Sequence, residues 1–224
     1  EARMFVPLTP LDFRDRAEEL FANKIGVIDG NARFTYREFG ERTHRLANAL
    51  RAAGLQKGDR VSFLTYNTHQ LLEAYFGVIE AGGILNPINI RFTPKDIAYV
   101  LNHSASAFLF FHQDFAPLVH TIRPGLPATR GFVVMDGDGA EPATQEYEQF
   151  LASAEPTYRR PEIDEHDIAE LFYTSGTTGI PKGVALTHRT LYLHALNMGL
   201  AIRATDADVV LHIVPLFHVN GWGT

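Results

Sequence analysis

Apolar residues along the chain follow two alternating patterns, short runs typical of buried strands and longer stretches with helical periodicity. The short runs predict strands at 60–66, 84–88, 107–111, 132–135, 168–174, 183–187 and 209–214. Helical periodicity predicts helices at 69–81, 94–102, 115–122, 147–152 and 190–202, and a further helix that begins near Thr35. Strands and helices therefore alternate along most of the chain.

Local residues at the ends of the predicted helices support these assignments. Thr35 and Glu38 have the spacing of a capping box, in which the Thr side chain accepts a hydrogen bond from the third helical N–H and the Glu side chain reaches back. Gly54 stands where a left-handed residue would end the same helix. Thr93 followed by Pro94 predicts an N-cap and a first-turn proline for the helix at 94–102.

The alternation predicts the fold class. Strands separated by helices of roughly 10–15 residues are typical of right-handed crossovers and of a parallel sheet covered on both faces. We therefore expect an α/β fold, with largely parallel β-sheet layers and flanking helices. The region 136–166 departs from this alternation, and we interpret it as a surface excursion instead of a domain boundary.

Composition excludes several classes of protein. The chain has 224 residues, of which 46% are hydrophobic and 21% charged, and these fractions exclude disorder, collagen and a coiled coil. Twenty basic against 26 acidic residues give a net charge of −6, so we expect no nucleic-acid partner. The absence of cysteine excludes a disulfide framework and a cysteine zinc site. No apolar stretch predicts a transmembrane segment and no signal-peptide pattern is evident, so we predict a cytoplasmic protein.

The segment 173–183, which reads Tyr-Thr-Ser-Gly-Thr-Thr-Gly-Ile-Pro-Lys-Gly, lies between two predicted strands and concentrates groups that bind anions. Its glycines let backbone N–H groups approach a ligand, its hydroxyls donate hydrogen bonds, and its lysine adds a positive charge. A concave site of this kind suits a polyphosphate, and Thr174 or Ser175 could offer an oxygen to a phosphate-bound Mg²⁺. The alternative is a flexible hydrophilic hairpin, but the stiff, charged pair Pro181–Lys182 adds nothing to a simple turn.

This loop is not a Walker loop. That pattern requires Gly-Lys followed by Ser or Thr five residues after its first glycine, and then a helix. Here Pro181 stands five residues after Gly176, and a predicted strand follows. The sequence therefore disfavours P-loop kinases and GTPases.

The loop resembles the motif of adenylate-forming enzymes, the superfamily of acyl-CoA synthetases, luciferases and peptide-synthetase adenylation domains. Eight of its positions, Ser175 to Gly179 and Pro181 to Gly183, match that motif. The resemblance implies that the loop holds the β- and γ-phosphates of ATP and that Thr174 contacts Mg²⁺. The residues it assigns to the nucleotide are Thr174, Ser175, Gly176, Thr177, Thr178, Gly179 and Lys182, with Lys182 also assigned to catalysis.

A second segment, Pro-Leu-Phe-His-Val-Asn-Gly-Trp-Gly at 215–223, resembles the part of these enzymes that lines the acyl pocket, and 34–38 resembles the segment that opens their first long helix. The resemblance implies that His218 is a catalytic residue beside the carboxylate that is activated. It places Phe217 and Trp222 in the pocket wall, with Trp222 near the nucleotide. The alternatives are a core histidine hydrogen-bonded to the backbone and ordinary core aromatics.

The residue at position 218 favours one branch of the superfamily. Amino-acid-activating members typically have Asp there to pair the substrate ammonium, and His218 is a poor counter-ion for that group. The chain looks most similar to acyl-CoA synthetases of fatty or other simple carboxylic acids, which use ATP, Mg²⁺ and coenzyme A and are often homodimers. The alternatives are a luciferase-like or other adenylating enzyme, a non-Walker kinase or ATPase, and a non-catalytic binding or scaffold fragment of the same fold.

The resemblance covers only the N-terminal portion of a superfamily member. Relatives are more than twice as long, and their adenine- and ribose-binding segments, hinge and small C-terminal domain match nothing in 1–224. We therefore expect an incomplete large domain that does not turn over alone. Apolar residues of 209–224 should then be exposed or covered by neighbouring molecules.

Other acidic and histidine groups carry no clear chemistry. The Glu41–His44 spacing has no second copy, so we predict a solvated helix face instead of a di-iron half-site. Asp136-Gly-Asp138 begins like a calcium loop, but Ala140 occupies the third ligand position. For Glu165, Asp167 and Glu170 we predict a solvated entry to the loop, and the alternative is that they are general bases.

Overall fold

The computed structural model describes residues 5–137, 144–175 and 179–222. Its strands are β1 (Ile25–Asp29), β2 (Ala32–Thr35), β3 (Arg60–Leu64), β4 (Ile84–Pro87), β5 (Ser106–His112), β6 (Gly131–Met135), β7 (Gln145–Glu146), β8 (Ile168–Thr174) and β9 (Lys182–Thr187). Its α-helices are α1 (Leu11–Phe21), α2 (Tyr36–Ala52), α3 (His69–Ala81), α4 (Pro94–His103), α5 (Ala116–Ile122), α6 (Tyr147–Ala152) and α7 (His188–Ile202).

Seven of the strands form one sheet in the order β7-β6-β5-β3-β4-β8-β9. Neighbouring strands from β7 to β8 pair in parallel, and β9 returns antiparallel to β8. The hairpin of β1 and β2 stands apart from this sheet. The predicted fold class, a largely parallel α/β sheet with flanking helices, is confirmed.

Local contacts explain why the helices begin and end where they do. The backbone N–H of Glu38 donates to Oγ1 of Thr35 at 3.2 Å, and Oε2 of Glu38 accepts from the Thr35 N–H at 2.7 Å, which completes the predicted capping box of α2. Gly82 directly follows α3 with φ of 91°, a conformation that costs glycine little. Asp96 N–H donates to Thr93 Oγ1 at 3.2 Å at the start of α4.

Helices cover both faces of the sheet, as predicted. On one face α2, α3 and α6 enclose a core in which the rings of Phe63 and Phe110 stack with centroids 4.5 Å apart. On the other face α4 and α5 pack against Leu109 and Phe111 of β5. Within the described ranges, no helix combines the length and the apolar character that crossing a bilayer requires.

Two predictions about chain segments need correction. The region 136–166 is more than a surface excursion, because β7 pairs with the sheet edge and α6 buries Tyr147 in the core. A two-residue strand is too short to show periodicity. The predicted strand at 209–214 is also wrong, since no strand pairs with that segment among the described residues. The expected exposure of apolar side chains holds for the first part of 209–224, with Val209 at 89% and Leu211 at 84%, but Leu216 and Phe217 are buried.

A buried ionic network joins α1 to α2 and α3. Arg14 Nη1 lies 2.5 Å from Glu80 Oε2, and His44 Nδ1 lies 2.9 Å from the same oxygen. His44 Nε2 also lies 3.5 Å from Glu18 on α1. Burial acts to lower the pKa of His44, but its bonds to Glu18 and Glu80 outweigh burial and raise it. The predicted solvated face is therefore wrong for His44, because α1 and α3 cover it, whereas Glu41 is exposed.

Candidate functional site

The hairpin of β8 and β9 positions the predicted phosphate-binding loop at the carboxyl end of β8. Thr174, the last residue of β8, pairs directly with Lys182, the first residue of β9, and both are exposed. Residues directly opposite in an antiparallel pair project from the same face. The hydroxyl and the ammonium therefore share one face at the edge where parallel α/β sheets bind ligands.

The rest of the loop is described in part. Ser175 is exposed after the end of β8, and Gly179 has φ of 77° with open space where a side chain would begin. Only backbone conformation therefore requires glycine at 179. Three of the predicted phosphate contacts, Gly176, Thr177 and Thr178, lie outside the described residues.

Tyr173 anchors the base of this loop, a role that the sequence analysis missed. Its hydroxyl lies 2.8 Å from Nδ1 of His103 at the end of α4, and its ring is buried on the face of the sheet that α4 covers. A Cβ at Gly183, opposite Tyr173 on β9, would lie 3.4 Å from the ring and 3.2 Å from Leu171. In the sequence, the signal for this anchor was a tyrosine directly before the hydroxyl residues Thr174 and Ser175.

Asn67, in the loop between β3 and α3, holds the segment that carries His218. Its Nδ2 donates to the carbonyl of Val214 at 2.9 Å, and its Oδ1 accepts from the N–H of Leu216 at 2.7 Å. A turn follows, in which the His218 N–H donates to the Pro215 carbonyl at 3.0 Å. The His218 side chain is exposed, so the structure does not make it a core histidine.

We expect Asn67→Ala to loosen this segment. The change leaves the partly buried Leu216 N–H without its acceptor and the exposed Val214 carbonyl without its donor, which should cost about 0.5–1.5 kcal/mol of unfolding free energy. Limited proteolysis with mass-spectrometric mapping of the cuts should show faster cleavage within 212–216. The control is Asn102→Ala, because the Asn102 side chain also bonds backbone carbonyls, but far from this segment. Equal cleavage rates within 212–216 in wild type and Asn67→Ala would contradict the assignment.

Trp222 packs against the core instead of standing free. Its ring stacks on Tyr75 of α3, with centroids 3.8 Å apart and an interplanar angle of 15°, and meets Phe76 edge-on at 5.6 Å. The Tyr75 hydroxyl donates to the carbonyl of Leu216, which ties the same helix to the His218 segment. Phe217 is buried, as the alternative of a core aromatic predicted.

Trp222 lines two cavities. The first, of about 490 Å³, lies between the β1–β2 hairpin, the start of α3 and residues 210–212. The second, of about 290 Å³, lies between Trp222, Phe76 and α7. Neither is lined by Thr174, Lys182 or His218, so neither cavity joins the loop to the His218 segment.

The acidic residues before the loop do not form a solvated entry. Glu165 is buried and accepts from the Leu8 N–H at 3.0 Å and from Arg189 at 2.5 Å, and Glu170 is buried completely. Asp167 alone keeps partial exposure, with Lys57 2.8 Å away. Packing of neighbouring segments, invisible in the sequence, covers the other two. The described part of the chain holds no cluster of three or more acidic or histidine residues suited to a metal ion.

The fold defines the class, an α/β protein with a mostly parallel sheet, and Thr174 and Lys182 pair at the carboxyl edge of that sheet. The family model described as AMP-binding enzyme matches residues 13–224. The chain belongs to the AMP-binding enzyme family.

Two relatives similar in sequence are CoA ligases by name. The chain is 42% identical over 217 residues to a long-chain-fatty-acid–CoA ligase of Thermus thermophilus, covering 94% of this chain and 39% of the relative. It is 41% identical to a 3-methylmercaptopropionyl-CoA ligase of Ruegeria pomeroyi, covering 82% of this chain and 35% of the relative. The chain therefore spans about two fifths of the length of these relatives.

Solved structures share the fold. The crystal structure of the anthranilate CoA ligase AuaEII with anthranoyl-AMP superposes with a TM-score of 0.82 at 29% identity, covering 87% of this chain and 38% of the other. ATP-bound MatB from Rhodopseudomonas palustris superposes with a TM-score of 0.80 at 27% identity, covering 93% and 41%.

Proposed function

We propose that this chain is the N-terminal part of the large domain of an ATP-dependent acyl-CoA synthetase. The observation that carries the proposal is the direct pairing of Thr174 with Lys182 at the open end of the β8–β9 hairpin, within a loop that matches the family motif. Relatives named as CoA ligases support the same reaction class. Cytoplasmic location and a homodimer stay predictions from sequence.

The proposed reaction has two steps. The carboxylate oxygen of the acid attacks the α-phosphorus of ATP, the bond to the bridging oxygen breaks, and pyrophosphate leaves with its electron pair. The thiol of coenzyme A then attacks the acyl carbon, a thioester forms, the thiol proton is lost, and AMP leaves. No protein nucleophile is needed, so the protein contributes positioning and stabilisation of charge.

The described loop residues suit the first step. Lys182 offers a positive charge on the same face as the Thr174 hydroxyl, where negative charge develops on the leaving pyrophosphate. Ser175 and Gly179 belong to the same proposed phosphate contact, together with Gly176, Thr177 and Thr178. The Thr174 hydroxyl is an exposed oxygen, the ligand type that Mg²⁺ prefers, and it would hold the ion that neutralises phosphate charge.

The proposed acid site lies on the His218 side. His218 would contact the carboxylate, and Trp222 would line the acyl chain and approach the nucleotide. A substrate ammonium would find no counter-ion in His218, which favours fatty or other simple acids. A relative named for long-chain fatty acids and one named for 3-methylmercaptopropionate fit this class.

Product analysis tests the proposed function. The 224-residue chain, incubated with ATP, Mg²⁺, coenzyme A and octanoate, should release no pyrophosphate above the blank, because it spans about two fifths of its relatives. A chain extended to the length of the relatives should release AMP and pyrophosphate only when the acid is present. ADP and phosphate would instead establish a kinase or ATPase. No nucleotide product from the extended chain would favour a binding or scaffold role.

A further inference from the structure

Glu170 is a carboxyl group inside the protein core. It lies in the middle of β8, between its pairing partners Leu85 on β4 and Leu186 on β9, and its exposure is 0%. Neither carboxyl oxygen has a hydrogen-bond partner of ordinary geometry among the described residues. A buried polar group without a partner is costly, so its presence calls for a physical reason.

Strand alternation places Glu170 on the face of β8 that also carries Thr174. Residues two and four positions apart project from the same face, so Glu170 shares it with Phe172 and Thr174. Phe172 belongs to the core cluster that also contains Tyr75, with Trp222 packed against that cluster. The buried carboxyl therefore points to the side on which Trp222 lies.

Trp222 brings a polar group to the same side of the sheet as this carboxyl, because its ring stacks on Tyr75 and packs against the cluster that contains Phe172. Burial raises the pKa of Glu170 well above its usual range, and the Trp222 indole acts in the opposite direction as a hydrogen-bond donor. No completed hydrogen bond joins the two groups among the described residues. The Tyr75 hydroxyl, the other nearby donor, is occupied by the Leu216 carbonyl.

We propose that Glu170 is a positioning residue that accepts the indole N–H of Trp222 and fixes the ring against Tyr75. The contact fixes the orientation of the ring from the core side, and the rest of the ring lines the two adjoining cavities. Under the proposed function Trp222 lines the acyl chain, so the contact would also fix the wall of the acid site, and only this consequence rests on the proposed function. The contact between Glu170 and Trp222 itself does not depend on any substrate.

The single tryptophan of the chain allows a direct test. With ¹⁵N-tryptophan labelling, the 224-residue chain should show one indole N–H resonance, and its hydrogen exchange should be roughly tenfold slower than that of free tryptophan. Glu170→Gln keeps an acceptor of the same shape and should retain this protection. Glu170→Leu removes the acceptor, so the resonance should shift and the protection should be lost.

Protection in the Gln variant but not in the Leu variant separates positioning from simple filling of the core. Wild-type exchange at the rate of free tryptophan would overturn the proposal without any variant, which covers the case in which Glu170→Leu fails to fold. Equal protection in wild type and a folded Glu170→Leu variant would overturn it as well. Neither result bears on the proposed function, which the pyrophosphate assay tests separately.

Discussion

Replacing Lys182 with alanine is expected to slow acid-dependent pyrophosphate release by roughly 100- to 1,000-fold in the chain extended to the length of its relatives. The structure places this lysine directly opposite Thr174 at the open end of the hairpin. Without its charge the leaving pyrophosphate is stabilised less, because only water takes the place of the ammonium group at this exposed site. Because the side chain is exposed at the sheet edge, the loss should fall on activity and leave folding intact.

Two further variants serve as controls for the Lys182→Ala measurement. Lys182→Arg keeps the charge but changes its shape, so activity should recover only in part. Lys95→Ala removes an exposed lysine on α4 and should leave pyrophosphate release unchanged. Full activity in Lys182→Ala would remove the loop from the proposed chemistry. A fall in activity matched by a lower melting temperature would point to a structural role for the residue.

Replacing Glu80 with glutamine or alanine is expected to lower the free energy of unfolding by about 3–5 kcal/mol. Glu80 is fully buried, and both Arg14 and His44 bind the same carboxylate oxygen. Without the carboxylate, the buried guanidinium keeps its charge and loses its principal counter-ion. Urea titration of the 224-residue chain, followed by far-UV circular dichroism, measures this difference.

An exposed acid on the same side of the molecule provides the control for Glu80. Glu19 lies on α1 with its side chain in solvent, so Glu19→Gln should change the free energy of unfolding by less than about 0.5 kcal/mol. The glutamine at position 80 preserves side-chain shape and removes only the charge. A Glu80→Gln variant as stable as wild type would show that the ionic network contributes nothing net to folding.

Helix ends could be predicted from the sequence because the contacts that set them are local. The Thr35–Glu38 capping box joins residues three positions apart, and Gly82 ends α3 through its own backbone conformation. The periodicity of apolar residues and the lengths of the segments between predicted strands are also local features, and they predicted the parallel α/β class. The strand at 209–214 was mispredicted because an apolar run forms a strand only beside a partner strand, and no described residues supply one.

The sequence alone was enough to predict the phosphate-binding loop, since the groups that the prediction rests on are consecutive residues from Thr174 to Lys182. Only the tertiary structure decided which charged residues are buried. Glu170 and His44 both belong to patterns that suggested solvent exposure, yet distant segments cover them. Trp222 lies on Tyr75, 147 positions earlier in the chain. Burial depends on contacts between residues far apart in sequence, and local spacing carries no record of those contacts.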